Sequence, residues 1–121
     1  MKTVLITDDE SALLELYDAE FRRAGYDVRT ALTAREALDI VDREPVDCVV
    51  MDIRLPGENG LDAISEIRRK RRELPIVLNS AYSSHKSDFH SWLADAYIVK
   101  SPDIAELIDT VDRILGAGFE S

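Results

Sequence analysis

The chain has 121 residues, is 45% hydrophobic and 32% charged, and carries a net charge of −9. That length suits one domain around a single core, and 15 basic against 24 acidic side chains argue against a nucleic-acid surface, which needs clustered Lys and Arg. Cys48 is the only cysteine, so neither an intrachain disulfide nor a thiolate metal cluster is available. No signal peptide follows Lys2, no apolar run reaches the roughly 18 residues that span a bilayer, and the chain reads as cytoplasmic.

Short apolar runs alternate with helical stripes. The first run, Thr3–Ile6, stops at Asp8 and Asp9. Leu14, Tyr17, Phe21 and Ala24 then share one helix face, and Gly25 is placed to end that helix. A more polar run, Asp27–Ala31, precedes a capping box of Thr33 and Glu36, which opens a helix carrying Ala37, Leu38 and Val41. Cys48–Met51 is the third run, with Cys48 as a small core residue; it ends at Asp52, and Pro56-Gly57 marks a turn beyond it. Leu61, Ile64 and Ile67 define a third helix closing on the basic run Arg68–Arg72. Cations favour helix C-termini, so that run reads as a solvated helix end.

Ile76–Leu78 is the fourth run and leads to Ser80. Ser83–Ala94 sets Phe89, Trp92 and Leu93 among polar residues and reads as a short, weakly held helix, with His85 and His90 on its surface. Tyr97–Val99 leads to Lys100. Pro102 is expected in the first turn of a last helix carrying Ile104, Leu107, Ile108, Val111 and Leu115, which ends near Gly116.

Five strands alternating with five helices imply right-handed crossovers and a parallel sheet covered on both faces. Continuous apolar runs agree with strands buried on both sides. The polar second strand suits an edge. The expected fold is therefore one doubly wound α/β domain over residues 1–121, flavodoxin-like, with strand order 2-1-3-4-5 and a short fourth helix.

In such a sheet, ligands bind beyond the carboxyl ends of the strands. Asp8 and Asp9, Asp52, Ser80 and Lys100 all stand at those ends and should converge. Each has a plainer reading: Asp9 as a helix cap, Asp52 as a turn former, Ser80 as a turn hydroxyl, Lys100 as an exposed amine. Together they favour a site, because three adjacent carboxylates resist ionisation unless a cation neutralises them. With oxygen donors and no His or Cys, that cation is Mg²⁺, or Mn²⁺ in its place. A carboxylate, Mg²⁺ and a lysine suit phosphoryl transfer, with the carboxylate as nucleophile.

These residues resemble the receiver domain of two-component response regulators. The resemblance is carried by Val4–Glu10, Val49–Gly57 with Gly60, Ile76–Ala81 and Asp95–Lys100, and it covers nearly the whole chain. It implies a signalling phosphoacceptor rather than an enzyme acting on other substrates. Asp52 would take a phosphoryl group from a histidine kinase or histidine phosphotransfer protein. Asp9 and Asp52 would bind Mg²⁺ with the backbone carbonyl of Arg54, and Asp8 would act partly through water. Lys100 would pair with a phosphoryl oxygen. Ser80 would move toward the phosphoryl group and Tyr97 would swing inward, remodelling the face of the fourth helix, fifth strand and fifth helix. Without a switch, Tyr97 would be a half-buried strand aromatic. Ala81 would leave room for the donor, and Arg54 and Tyr82 would tune the lifetime of the phosphorylated state.

Two departures from the family pattern stand out. Ser101 intervenes where Pro usually follows the lysine, often through a cis bond, which without proline costs about 2.5–4 kcal/mol. The interval from Ser80 to Lys100 is also short, which implies a trimmed fourth helix. Rival readings are a haloacid-dehalogenase-type phosphatase, disfavoured by Arg54 where a second Asp is needed, and a nucleotide-binding domain, disfavoured by the lack of a Gly-rich first loop. A receiver-like adaptor that ignores phosphorylation, or the receiver part of a longer transcriptional regulator, are the remaining alternatives. The expected output is a protein contact, through a monomer or a phosphorylation-dependent dimer, with no direct role for nucleic acid or membrane.

Overall fold

The structure, a computed structural model, describes residues 1–55, 58–81 and 94–116, and only the backbone of 54, 55 and 58–61. The elements run β1 (Thr3–Thr7), α1 (Ser11–Arg23), β2 (Asp27–Ala31), α2 (Ala34–Arg43), β3 (Cys48–Met51), β4 (Arg54–Leu55), β5 (Glu58–Asn59), α3 (Gly60–Lys70), β6 (Ile76–Ser80), β7 (Ala96–Val99) and α4 (Ala105–Leu115). Five strands form one parallel sheet in the order β2-β1-β3-β6-β7. Counted within the sheet this is 2-1-3-4-5, the flavodoxin-like order. The polar β2 is an edge strand, as its sequence implies.

Both faces of the sheet are covered, and the alternation of side chains along each strand separates two cores. Leu5, Val49, Met51, Leu78 and Tyr97 pack with Ala37 and Val41 of α2 and Ile64 and Ile67 of α3. Val4, Ile6, Val50, Val77 and Ile98 pack with Leu14, Tyr17 and Phe21 of α1 and Leu107 and Val111 of α4. β3 and β6 are buried at every residue. At about 25 cal/mol per Å² of apolar area removed from water, these two layers supply most of the drive to fold.

Helix ends follow local chemistry, with three differences from expectation. Thr33 Oγ1 accepts from the Glu36 N–H at 3.1 Å, but the Glu36 carboxylate accepts from the Leu32 N–H at 2.7 Å rather than from Thr33. α4 starts at Ala105, not at Pro102. Asp103 Oδ1 accepts from the Ala105 N–H at 3.0 Å, an Asx-type bond that holds the preceding residues in a turn. Gly25 (φ +101°) follows α1 and Gly116 (φ +69°) caps α4, both left-handed conformations that favour glycine. Ala24, placed on the buried stripe by spacing, is exposed beyond the end of α1.

The basic run does more than cover a helix end. Arg68 donates to the Leu74 carbonyl at 2.6 Å and to Asp95 at 2.5 Å, and the same Asp95 oxygen accepts from the Ile76 N–H at 2.8 Å. Arg71 donates to the Val46 carbonyl at 3.1 Å, and Lys70 pairs with Asp42 on α2 at 2.9 Å. The run therefore ties α3 to the entries of β3, β6 and β7. Cys48 is buried, and burial first, then Asp95 and Asp47, pushes its thiol up to about 12.

The short antiparallel pair of β4 and β5, with Arg54 opposite Asn59 and Leu55 opposite Glu58, was not anticipated. The described residues contain four helices. The expected short fourth helix at Ser83–Ala94, with His85, Phe89, His90, Trp92 and Leu93, lies outside them except for Ala94, as do Tyr82, Pro56 and Gly57.

Candidate phosphoacceptor site

Parallel strands deliver their carboxyl ends to one edge of the sheet. Asp8 follows β1, Asp52 follows β3 and Lys100 follows β7, and the backbone holds each in place. The Asp8 N–H donates to the Ala31 carbonyl at 3.1 Å, the Asp52 N–H to the Thr7 carbonyl at 3.2 Å, and the Lys100 N–H to the Ser80 carbonyl at 2.7 Å. Alternation continued from Ile6, Val50 and Ile98 aims all three side chains at the α1–α4 face of the sheet.

There they meet. Lys100 Nζ lies 2.6 Å from Asp8 Oδ2 and 2.8 Å from Asp52 Oδ2. Asp8 and Asp52 are buried, and the lysine side chain is only 16% exposed. Burial opposes the charge on Lys100, yet hydrogen bonds and attraction from Asp52 and Asp8 outweigh it and hold the ammonium above its ordinary range. Two buried carboxylates and one ammonium still leave a net negative charge. Asp8 Oδ1 accepts from the Glu10 N–H at 3.0 Å, which orients its carboxylate.

Asp9 is exposed, and α1 has Glu10 as its N-cap with no side-chain cap, so Asp9 does not serve as the cap. One carboxylate oxygen from each of Asp8, Asp9 and Asp52 lies within 4.8 Å of the others. An all-oxygen, all-carboxylate donor set of this size fits a hard divalent cation such as Mg²⁺. Arg54, whose carbonyl was expected to assist, opens β4 two positions beyond Asp52.

Ser80 is fully buried, and alternation along β6 sets its side chain on the α2–α3 face, beyond Leu78 and away from Asn79. It touches Lys100 through its main chain. Tyr97 is buried at 5% exposure in the α2–α3 core rather than half-buried. Ala81 is exposed just past β6. Among the described residues no peptide bond is cis, so Ser101 follows Lys100 through a trans bond.

Residue-by-residue reading missed one pair. Asn79 Nδ2 donates to the Tyr17 hydroxyl oxygen at 2.9 Å, both side chains being buried. The signal was present: an amide inside the apolar strand IVLNS needs a buried partner. Nothing in the spacing named Tyr17, which looked like one more member of an apolar stripe.

This fold with this site defines a class. The chain belongs to the response regulator receiver domain family, whose family model matches residues 4–112. It is similar to the response regulator TrrA of Thermotoga maritima in complex with Mg²⁺-BeF, with 40% identity over 94% of this chain and 99% of that one (TM-score 0.89). It is also similar to a structure of the histidine kinase ThkA in complex with TrrA, at 41% identity over 95% and 99% of the chains (TM-score 0.87). A CheY-like receiver domain protein of Methanospirillum hungatei matches at 27% identity over 97% and 95% (TM-score 0.90). Receiver domains are the phosphoacceptor modules of two-component signalling. No helix among the described residues is long and apolar enough to cross a membrane.

Proposed function

We propose that residues 1–121 act as one receiver domain, whose Asp52 accepts a phosphoryl group from a phosphohistidine donor. A carboxylate oxygen of Asp52 attacks phosphorus and forms an O–P bond. The N–P bond breaks, and the imidazole nitrogen leaves with the electron pair and takes a proton. Lys100, already 2.8 Å from Asp52, stabilises the charge on the phosphoryl oxygens. Asp8, Asp9 and Asp52, with the Arg54 carbonyl, would hold Mg²⁺ (Mn²⁺ as a substitute). When bound, the ion neutralises carboxylate and phosphoryl charge. The Mg²⁺-BeF complex of the relative TrrA supports this reading.

The kinase complex of the same relative supports a histidine kinase as donor. In this reading Ser80 and Tyr97 report the phosphorylated state to the face around β7 and α4, where a protein target docks. Arg54, Ala81 and Tyr82 set its lifetime. The chain catalyses only its own phosphorylation and dephosphorylation. The observation that carries the proposal is one ammonium shared between two strand-end carboxylates, with a third carboxylate within 4.8 Å.

Mass spectrometry after incubation with a small phosphodonor and Mg²⁺ tests it. One added phosphoryl group on the wild type, absent from Asp52→Asn, is the expected result. An unmodified wild type, or a mutant labelled equally, would overturn the reading.

A further inference from the structure

The pair Tyr17–Asn79 stands directly beside the site. Met51 pairs with Leu78 across β3 and β6, so one step further along the register Asn79 stands next to Asp52. Asp8, Asp52 and Asn79 then form one cross-strand row facing α1. Asn79 does not point at Lys100 or Asp52 for its bond; it turns to the phenol of Tyr17, 2.9 Å away. The next residue, Ser80, accepts the Lys100 N–H on its carbonyl at 2.7 Å.

We propose that Tyr17 is a positioning residue for phosphoryl transfer, fixing through Asn79 the end of β6 that holds Lys100 against Asp52. The connection is continuous: Tyr17 to the Asn79 amide, the Asn79–Ser80 main chain, the Ser80 carbonyl to the Lys100 N–H, and Lys100 Nζ to Asp52. Stability alone gives no reason for the pair, since two apolar side chains of the same shape can fill such a space with little or no loss. A hydrogen bond adds direction. It sets the amide plane and, with it, the end of the strand in the row of Asp52.

The charges of the site also bear on the phenol. Burial raises its proton affinity most, the Asn79 hydrogen bond and Lys100 lower it, and Asp8 and Asp52 raise it. Ser80 is expected to shift on phosphorylation, and Asn79 is its immediate neighbour. A fixed Asn79 gives that shift a stationary pivot.

The proposal rests on Asp52 as phosphoacceptor, and the test separates the two. The full chain, Mg²⁺ and phosphoramidate are used, with phosphoryl-Asp52 followed over time by mass spectrometry. Tyr17→Phe should slow labelling about tenfold while Mg²⁺ affinity stays within about twofold, because the carboxylates are untouched. The double variant Tyr17→Phe/Asn79→Leu should regain the stability that the single change loses, since no buried amide is left unpaired, yet still label slowly. A Tyr17→Phe rate within about twofold of wild type, or a double variant whose rate returns together with its stability, overturns the positioning role. A wild type that takes no label overturns both readings, and only that result reaches the phosphoacceptor itself.

Discussion

The ammonium of Lys100 sits 2.8 Å from the carboxylate of Asp52 and 2.6 Å from that of Asp8, so one flexible cation occupies the centre of an acidic site. It offsets most of the repulsion there but not all. The remaining negative charge attracts a divalent cation, and the same ammonium competes for the oxygens that would bind it.

Lys100→Met leaves two buried carboxylates without their cation. Its stability in EDTA should fall by about 3 kcal/mol, the scale for breaking a buried pair. Added Mg²⁺ should raise its melting temperature more than it raises that of wild type, as read by circular dichroism. Labelling by a small phosphodonor should slow about 10²-fold, because the group that meets the phosphoryl charge is gone.

Asp9 separates metal binding from folding. It is exposed and caps no helix, so Asp9→Asn should change stability by no more than about 0.5 kcal/mol. Mg²⁺ affinity, measured by titration calorimetry, should fall about tenfold or more, since a hard cation loses one of three carboxylates. Equal Mg²⁺ affinity in the two proteins would remove Asp9 from the metal site.

Thr7 is buried at the end of β1, and its hydroxyl is the one buried side-chain oxygen without a hydrogen-bond partner among the described residues. Thr7→Val keeps the shape and removes the desolvated hydroxyl. Stability should rise by about 1 kcal/mol in guanidinium unfolding. A loss of that size would show that the hydroxyl has a partner.

Tyr26 gives the alkaline limb a defined contributor. It donates to Asp112 on α4; burial first, then the Asp112 hydrogen bond and charge, raise its pKa above the ordinary 10.0. The folded state therefore keeps the proton where the unfolded chain loses it. Its contribution is complete below the ordinary value and is lost as pH rises toward the folded value. Between about pH 9 and 11, stability should decline less steeply in Tyr26→Phe than in wild type. Tyr17, raised in the same direction, keeps part of the slope in the mutant.

Continuous apolar runs made the parallel sheet legible, because strands buried on both faces cannot alternate polar with apolar residues. The site was legible for a related reason: such a sheet gathers its strand ends on one edge, so Asp8, Asp52 and Lys100 had to come together. The start of α4 was not, because the Asp103 side-chain bond competes with the helical signal of Pro102. Nor was the β4–β5 pair, whose strands are two residues each and carry no period to read.

The sequence by itself determined which five strands form the parallel sheet, that α1, α2, α3 and α4 cover it, and that acidic and basic groups end at one edge. Only the tertiary structure decided how those groups partner. Register and alternation set Lys100 between Asp8 and Asp52, turned Ser80 and Tyr97 to the opposite face, and joined Asn79 to Tyr17 across 62 positions of chain. Hydrogen bonds between residues so far apart depend on ångström-scale placement of separate elements. Local sequence periodicity carries no record of that distance.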